Sequence, residues 1–596
     1  MSYFKSVFFT FAILVAFCNN TFSQLPAYGS ALKTADSLYR LKTYEQAAIA
    51  YSKASALIAH SNPSDIYNEA CAWALANEPD SALKKLNTIV GINYFNYNQL
   101  ATDADLVSLR KDKRWKQMMN RITKTKLSVF KKDQLNQDFD QLISALKEAH
   151  TGLYWYNSYP AFDSICTAQR SKIKSGMNEA DFFQIVAPVV AFTKEGHTYL
   201  RMGEKAQSYF SFSAKYFPVY LKFLDQKPFI INDINGIKLK GMILSKINGV
   251  PMSEMMQKFL EYEPSDGFNI TSKYRWIEEN AKFSRYYAYA YPQTADFTIE
   301  VIDPLTQQKN IYAHIKAIDY RSFYNGYKDV INKIPKANDT LPADLSIDNS
   351  SKTATLTFNT FSSREYEAKK IDFHEYVKAA FKKISESQVT NLVIDIRKNG
   401  GGDEGFEDYV LSFLINKDYH KYQYVQASAF AYSFYANSDY KYDWTKLERM
   451  LKGEHILEKD GRILRKAGIE EHEKPQANPY LGNIYVLTSG LTYSGGSEFA
   501  TLLKNYTKAL FVGEEVGGGY YGNTSGNRIV LKLPNTQLNI GIPILKFVLS
   551  TPIDSNPIGH GVLPDYYVQP TISQFLEGYD AEMEYVKKMI DTAERK

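Results

Sequence analysis

The chain has 596 residues, of which 44% are hydrophobic and 23% charged, and a formal net charge of +5. That length exceeds what one core can organise, so several domains are expected. The small net charge, with no Lys/Arg block, excludes an electrostatic case for nucleic acid or an anionic membrane surface. At the N-terminus, Lys5 precedes an apolar run from Val7 to Cys18, and Thr21-Phe22-Ser23 follows. This reads as a secretory signal over residues 1–23, cleaved after Ser23, which implies a periplasmic or extracellular protein. Phe17 before Cys18 fits a lipobox poorly. No second run of spanning length follows, so no integral membrane span is expected after cleavage. Cys71 and Cys166 then remain, and both read as small buried hydrophobes rather than a disulfide.

Residues 24–125 are helical by pattern and carry a weak internal repeat. Tyr44, Ala47, Tyr51 and Ala54 recur 35 positions later as Pro79, Ala82, Leu86 and Ile89. The period and the small residues resemble tetratricopeptide repeats, which implies a surface for a protein partner. Residues 126–214 continue helical. Over 215–317 short strands appear, and GMILSKINGVPMSEMMQKF (241–259) reads as strand, Asn-Gly turn and helix. That order resembles a PDZ module, with an edge strand able to accept a peptide. Residues 318–345 are polar and read as a linker.

The segment 346–575 alternates. Strands are expected at 353–361, 391–397, 483–488 and 509–513, and helices at 365–384, 404–415 and 496–506, which argues for parallel strands. Asn527–Leu533 and Leu538–Leu545 read as an antiparallel hairpin, 416–480 as an insertion near the active face, and 576–596 as a closing helix. The expected fold is multidomain α/β: a helical repeat region, a helical subdomain, a β-rich PDZ-like module and a β/α core.

Two segments of that core carry chemistry, NLVIDIRKNGGGDEGFEDYVLSFL (391–414) and NIYVLTSGLTYSGGSEFATLLKNY (483–506). In each, a strand breaks into a glycine turn and restarts as a helix. Such a turn lifts Ser494 off a strand end and leaves backbone N–H groups beside it, as acyl transfer requires. VIDIRKNGGG (393–402), VLTSGLTYSGGSEFA (486–500), VGEEVGGG (512–519) and GVLPD (561–565) follow one another as in the C-terminal-processing, or tail-specific, protease family. EGHTYL (195–200) resembles the Gly-His-Thr segment of its tricorn-like branch, and INGVP (247–251) its PDZ-like insertion.

The resemblance implies a serine-type peptidase with Ser494 as nucleophile and Ser497, one helical turn on, as its rival. Where processing proteases place a lysine base, this chain has Gly519, and Lys508 and Lys532 do not match the pattern. His197 matches the histidine base of the tricorn-like branch, with His560 in reserve. Asp554, Glu514 and Glu515 are candidates by neighbourhood for the acid that orients the base. Oxyanion donors are expected from Gly495 and from Gly400 or Gly401. No cofactor is implied. Metal hydrolysis is not supported, because no His-Glu-x-x-His occurs and Glu470-Glu471-His472 lies in a charged loop. The expected substrates are peptides or unfolded protein tails. The alternative is a catalytically silent binding protein on the same scaffold.

Overall fold

The computed structural model describes residues 27–57, 63–91, 97–334, 341–441, 443–469, 474–552 and 556–594. The expected leader, 1–23, lies outside them. The chain divides into two compact units, Met1–Leu127 with Gly203–Ser213, and Ser128–Met202 with Ala214–Lys596.

The first unit is helical. Helices at 27–40, Tyr44–Ala56, Pro63–Leu75 and Pro79–Gly91 pack in sequence, and Ala70, Ala74 and Ala82 let them approach closely around Leu86, Ile89 and Trp115. The 35-residue repeat reappears as geometry. Lys42 and Asn77 both turn through positive φ, at 60° and 63°. In the same register, Thr43 N–H donates to Leu38 O and Glu78 N–H to Trp73 O. Cys71, Asp103 and Asp105 bring ligand-type atoms within 4.8 Å of one another, but the hydroxyls of Tyr67 and Tyr39 bond the two carboxylates. Cys71 and Cys166 are both free and buried.

The second unit opens with helices Lys132–Ala149, Tyr159–Arg170 and Glu179–Ala191, then a loop carrying His197 and a short strand, β1 (Tyr199–Arg201). A sheet follows, from β2 (Leu221–Leu224), β3 (Lys227–Ile230), β4 (Ile243–Ile247), β5 (Val250–Pro251), β6 (Asp296–Ile302) and β7 (Lys309–Lys316), in the order β2-β3-β4-β6-β7 with β5 on β4. Asn248 and Gly249, at φ 49° and 82°, make the tight β4–β5 turn, and helix Met252–Leu260 starts at once. One edge of this sheet is closed: on β2, Phe223 N–H donates to Glu278, and Arg275 donates to Phe223 O.

Residues 318–345 are not an irregular linker. Tyr320–Lys333 is a helix, capped by Asp319 and anchored by buried Phe323 and Tyr327 at i, i+4 spacing. Its other faces are polar, which is what made the stretch read as linker; residues 335–340 lie outside the described set.

The core sheet is built from β8 (Ala343–Asp348), β9 (Thr353–Phe358) and β10 (Asn391–Asp395), with later strands joining below. Between β9 and β10 the expected helix divides into Ser363–Ala368 and Phe373–Glu386. The segment 416–480 folds into β11 (Tyr422–Ala427), helix Trp444–Glu454, β12 (His455–Leu457) and β13 (Ile463–Arg465). Then come β14 (Asn483–Thr488), β15 (Leu510–Gly513), β16 (Gly522–Asn523), β17 (Arg528–Lys532), β18 (Asn539–Pro543), β19 (Leu545–Leu549) and β20 (Tyr566–Tyr567). The core order is β20-β15-β14-β10-β9-β8, parallel except for β8 on β9. Period-2 alternation covers both faces. Ile394 and Val486 join one cluster with Phe358 and Phe499, while Val393, Tyr485 and Leu487 pack against Val586 and Ile590 of helix Ala581–Glu594. The remaining strands form two further sheets, β1-β18-β17 and β12-β13-β11-β19-β16.

A buried ion cluster ties the core together. Lys421 Nζ contacts Glu407, Asp408 at 2.9 Å and Glu498 at 3.2 Å. Burial works against its charge, and the three carboxylates more than offset that. Lys421→Met leaves these acids without their cation, and an unfolding titration should show a loss of about 3–5 kcal/mol. A second prediction concerns His150. Burial lowers its pKa to about 3, so between the unfolded value of about 6.5 and that folded value only the unfolded chain binds this proton. Stability should therefore fall with acidification by up to about 1.4 kcal/mol per pH unit in that window. His150→Gln should remove that part of the slope in urea unfolding at pH 7, 5 and 4.

Candidate active site

Strands β10 and β14 are parallel neighbours, with Asp395 opposite Leu487, so the glycine turns that follow them emerge side by side at the carboxyl edge of the sheet. Ser494 sits between β14 and helix Gly495–Tyr506, with φ 52° and ψ −127°. This conformation, sparsely populated for a residue with a side chain, points the hydroxyl away from the helix it starts. Gly495 is the first helical residue, so its N–H has no intrahelical acceptor. The two turns touch. A Cβ on Gly401 would lie 2.7 Å from Ser494 Cβ and 2.6 Å from Gly495 N, so that position excludes a side chain.

His197 arrives from the loop between helix Glu179–Ala191 and β1, and β1 is fixed by antiparallel pairing with β18. The loop is held on its far side by His150. Its Nδ1 accepts the Gly152 N–H at 3.2 Å, so its Nε2–H donates to Thr198 Oγ1 at 2.7 Å. His197 Nε2 lies 3.2 Å from Ser494 Oγ. On the other side of the ring, Nδ1 is 3.4 Å from the Tyr493 hydroxyl, which donates to Asp266 Oδ1 at 2.7 Å. Asp266 also accepts the N–H of Gly196 at 2.8 Å and of Gly519 at 2.9 Å. Gly196 is required here because a Cβ would fall 2.2 Å from the Tyr493 hydroxyl.

Burial pushes the His197 imidazole below the ordinary histidine value; Asp266 and Glu498 pull it back up, and Arg528 pushes it further down. Behind the loop, burial and nearby Asp266 push the Glu195 carboxyl well above the ordinary range. Its Oε2 accepts from Thr524 at 3.0 Å. Burial likewise raises the Tyr493 phenol, with Asp266 adding to the effect, so it remains a donor.

The other sequence candidates lie elsewhere or serve other contacts. Ser497 is buried in the helix and its hydroxyl donates to Ser494 O at 2.7 Å. The Gly401 N–H donates to Asn399 Oδ1 at 2.9 Å, whereas the Cβ direction of Gly400 faces open space. His560 Nδ1 pairs with Glu515 Oε1 at 3.0 Å, away from the Ser494–His197 contact. Glu514 is buried against Arg275 at 3.1 Å. At Gly519, where the family lysine would stand, a Cβ would meet Gly522 O at 2.6 Å. Lys508 is exposed beyond the far end of helix Gly495–Tyr506, roughly 18 Å of helix from Ser494, and Lys532 pairs with Asn539 on β18. Asp554 and Glu470-Glu471-His472 lie outside the described residues.

Sequence reasoning missed Asp266 and Tyr493. Tyr493 could have been flagged as the neighbour of the nucleophile candidate. Asp266, in Glu263-Pro-Ser-Asp-Gly267, reads only as a turn former.

The model of peptidase family S41 matches residues 352–568. The solved structure of mature CPAF complexed with lactacystin is similar over 78% of this chain and 98% of its own, at 15% identity and a TM-score of 0.53. A CPAF point mutant covers 77% and 96% at 14% identity and a TM-score of 0.51. These likenesses concern the fold. No described helix is long and apolar enough to cross a membrane. The glycine turns after β10 and β14 both fall inside the matched segment, and residues 352–568 form a domain of peptidase family S41, a family of serine-type hydrolases.

Proposed function

We propose that this chain is a serine endopeptidase working in the periplasm or outside the cell on peptides or unfolded protein tails. The observation that carries the reading is the 3.2 Å approach of His197 Nε2 to Ser494 Oγ at the head of a helix. Ser494 Oγ attacks the scissile carbonyl carbon while its proton passes to Nε2. The carbonyl oxygen becomes an oxyanion facing the N–H of Gly495 and, as second donor, that of Gly400. The imidazolium then gives its proton to the leaving nitrogen, the C–N bond breaks and the acyl group stays on Ser494. Water reverses the sequence: its proton goes to His197, its oxygen attacks the acyl carbon, and the proton returns to Oγ as the acid leaves.

Two features support this reading over a silent binding protein: the strained serine and the histidine in contact with it. Gly519, where processing proteases place a lysine, leaves the role of base to that histidine. The direct test is labelling by a fluorophosphonate probe. Ser494→Ala should abolish both labelling and peptide cleavage, while Ser497→Ala should keep both, since its hydroxyl serves the helix backbone. Labelling that persists in Ser494→Ala refutes the assignment.

Activity requires neutral imidazole, and burial lowers the pKa of His197. The rising limb of kcat/KM against pH should therefore have its midpoint below the ordinary value of about 6.5. His197→Ala should reduce kcat/KM at pH 7 by about 10²- to 10⁴-fold. Lys508→Ala and Lys532→Ala should leave it unchanged.

A further inference from the structure

A histidine acts as base toward serine only in one of its two neutral tautomers, with the proton on Nδ1 and a lone pair on Nε2. Proteases with this chemistry fix the tautomer with a carboxylate bonded directly to Nδ1–H. Here Nδ1 faces a phenol, the Tyr493 hydroxyl at 3.4 Å. That hydroxyl has one proton, and the Asp266 carboxylate takes it at 2.7 Å. What the oxygen presents to His197 is a lone pair, so Nδ1 must carry the hydrogen and Nε2 must face Ser494 as acceptor.

We propose that Asp266, acting through the Tyr493 hydroxyl, is the acid that selects the base tautomer of His197 and stabilises its imidazolium. This rests on the reading of Ser494 and His197 above. Asp266 and Tyr493 are positioning residues, since neither touches the reacting atoms. No proton need travel along the chain of bonds: each hydrogen stays on its own atom, and only the charge of Nε2–H⁺ is answered one hydroxyl further away.

Two further observations favour the relay. Asp266 comes from the loop before helix Ile270–Glu278, and Gly267 there packs directly on Gly559, in the run IGHGVLP (558–564) that carries no acid of its own. The His197 and Tyr493 rings also lie 4.9 Å apart at 34°, which holds the hydroxyl at the imidazole edge. The 3.4 Å contact suits a resting site, where such bonds are looser than during turnover. The charged groups acting on His197 are Asp266, Glu498 and Arg528, with uncharged Tyr493 against the ring and Glu195 two residues before it in sequence.

The test is Tyr493→Phe, which removes the relay oxygen and leaves the bonds from Gly196 and Gly519 to Asp266 in place. It should lower kcat about 10- to 100-fold with KM held. Asp266→Asn should lower kcat similarly and move the acid limb of the pH profile to lower pH, because a negative charge that raises the His197 pKa is gone. The double variant should be no slower than the slower single one. Unchanged kcat in Tyr493→Phe, or losses that multiply in the double variant, overturn the relay. Nitrogen-15 NMR of labelled histidine, with His197 assigned by difference from His197→Ala, decides the point without turnover. The wild type should show a protonated, pyrrole-type Nδ1 that becomes mixed in Tyr493→Phe. A pyridine-type Nδ1 in the wild type overturns the proposal. Wild-type protein that the probe does not label at Ser494 would instead refute the peptidase reading and leave the NMR result to judge the relay.

Discussion

One carboxylate fastens the whole site. Asp266 accepts from Gly196, from the Tyr493 hydroxyl and from Gly519, and so joins the His197 loop, the Ser494 turn and the glycine-rich loop after β15. These segments lie far apart along the chain, and only the folded second unit brings them together. A carboxylate with several N–H and O–H donors forms strong, directional bonds in a buried setting. The geometry at Ser494 therefore depends on the module between β1 and β8 as well as on the core sheet.

Beneath the site a second set of charges plays the complementary part. Lys421, at the entry to β11, binds acids on helix Phe406–Ser412 and, through Glu498, on helix Gly495–Tyr506. Glu498 in turn accepts from Asn523 at 2.9 Å and from Tyr422 at 2.9 Å. The helix that presents Ser494 is thus held from below by side chains on neighbouring strands, and its first turn cannot drift without breaking buried bonds. The stretch 416–480, which looks like an insertion when read in sequence, supplies the cation and becomes part of a sheet.

Much of this was legible in the sequence. The alternation of apolar strands and helices gave the core, because period-2 and period-3.6 patterns survive wherever an element has a buried face. The turns around Gly400 and Ser494 were visible because runs of glycine at strand ends let the backbone turn where neither strand nor helix continues. Asp266 was not visible. Its partners are backbone N–H groups and one hydroxyl, and such contacts leave no periodic trace. The helix Tyr320–Lys333 was missed for a related reason: two buried aromatic residues are too few to outweigh its polar remainder. The strand, Asn-Gly turn and helix over 241–259 were readable, but not the closing of the β2 edge of that sheet, since Arg275 and Glu278 look like any surface ion pair until their carbonyl and amide partners on Phe223 are seen.

The backbone at Ser494 has a thermodynamic meaning of its own. At φ 52° and ψ −127° a glycine would sit at ease, whereas a side chain there holds on the order of 1–3 kcal/mol of strain. A chain shaped by stability alone would carry glycine at this turn, as it does at the next two positions. Retaining a hydroxyl where the fold disfavours it means the fold tolerates a local deficit, which the buried bonds around Asp266 and Lys421 offset. The energetic imbalance of a single turn thus sets position 494 apart from its glycine neighbours, and it agrees with the role proposed for its hydroxyl.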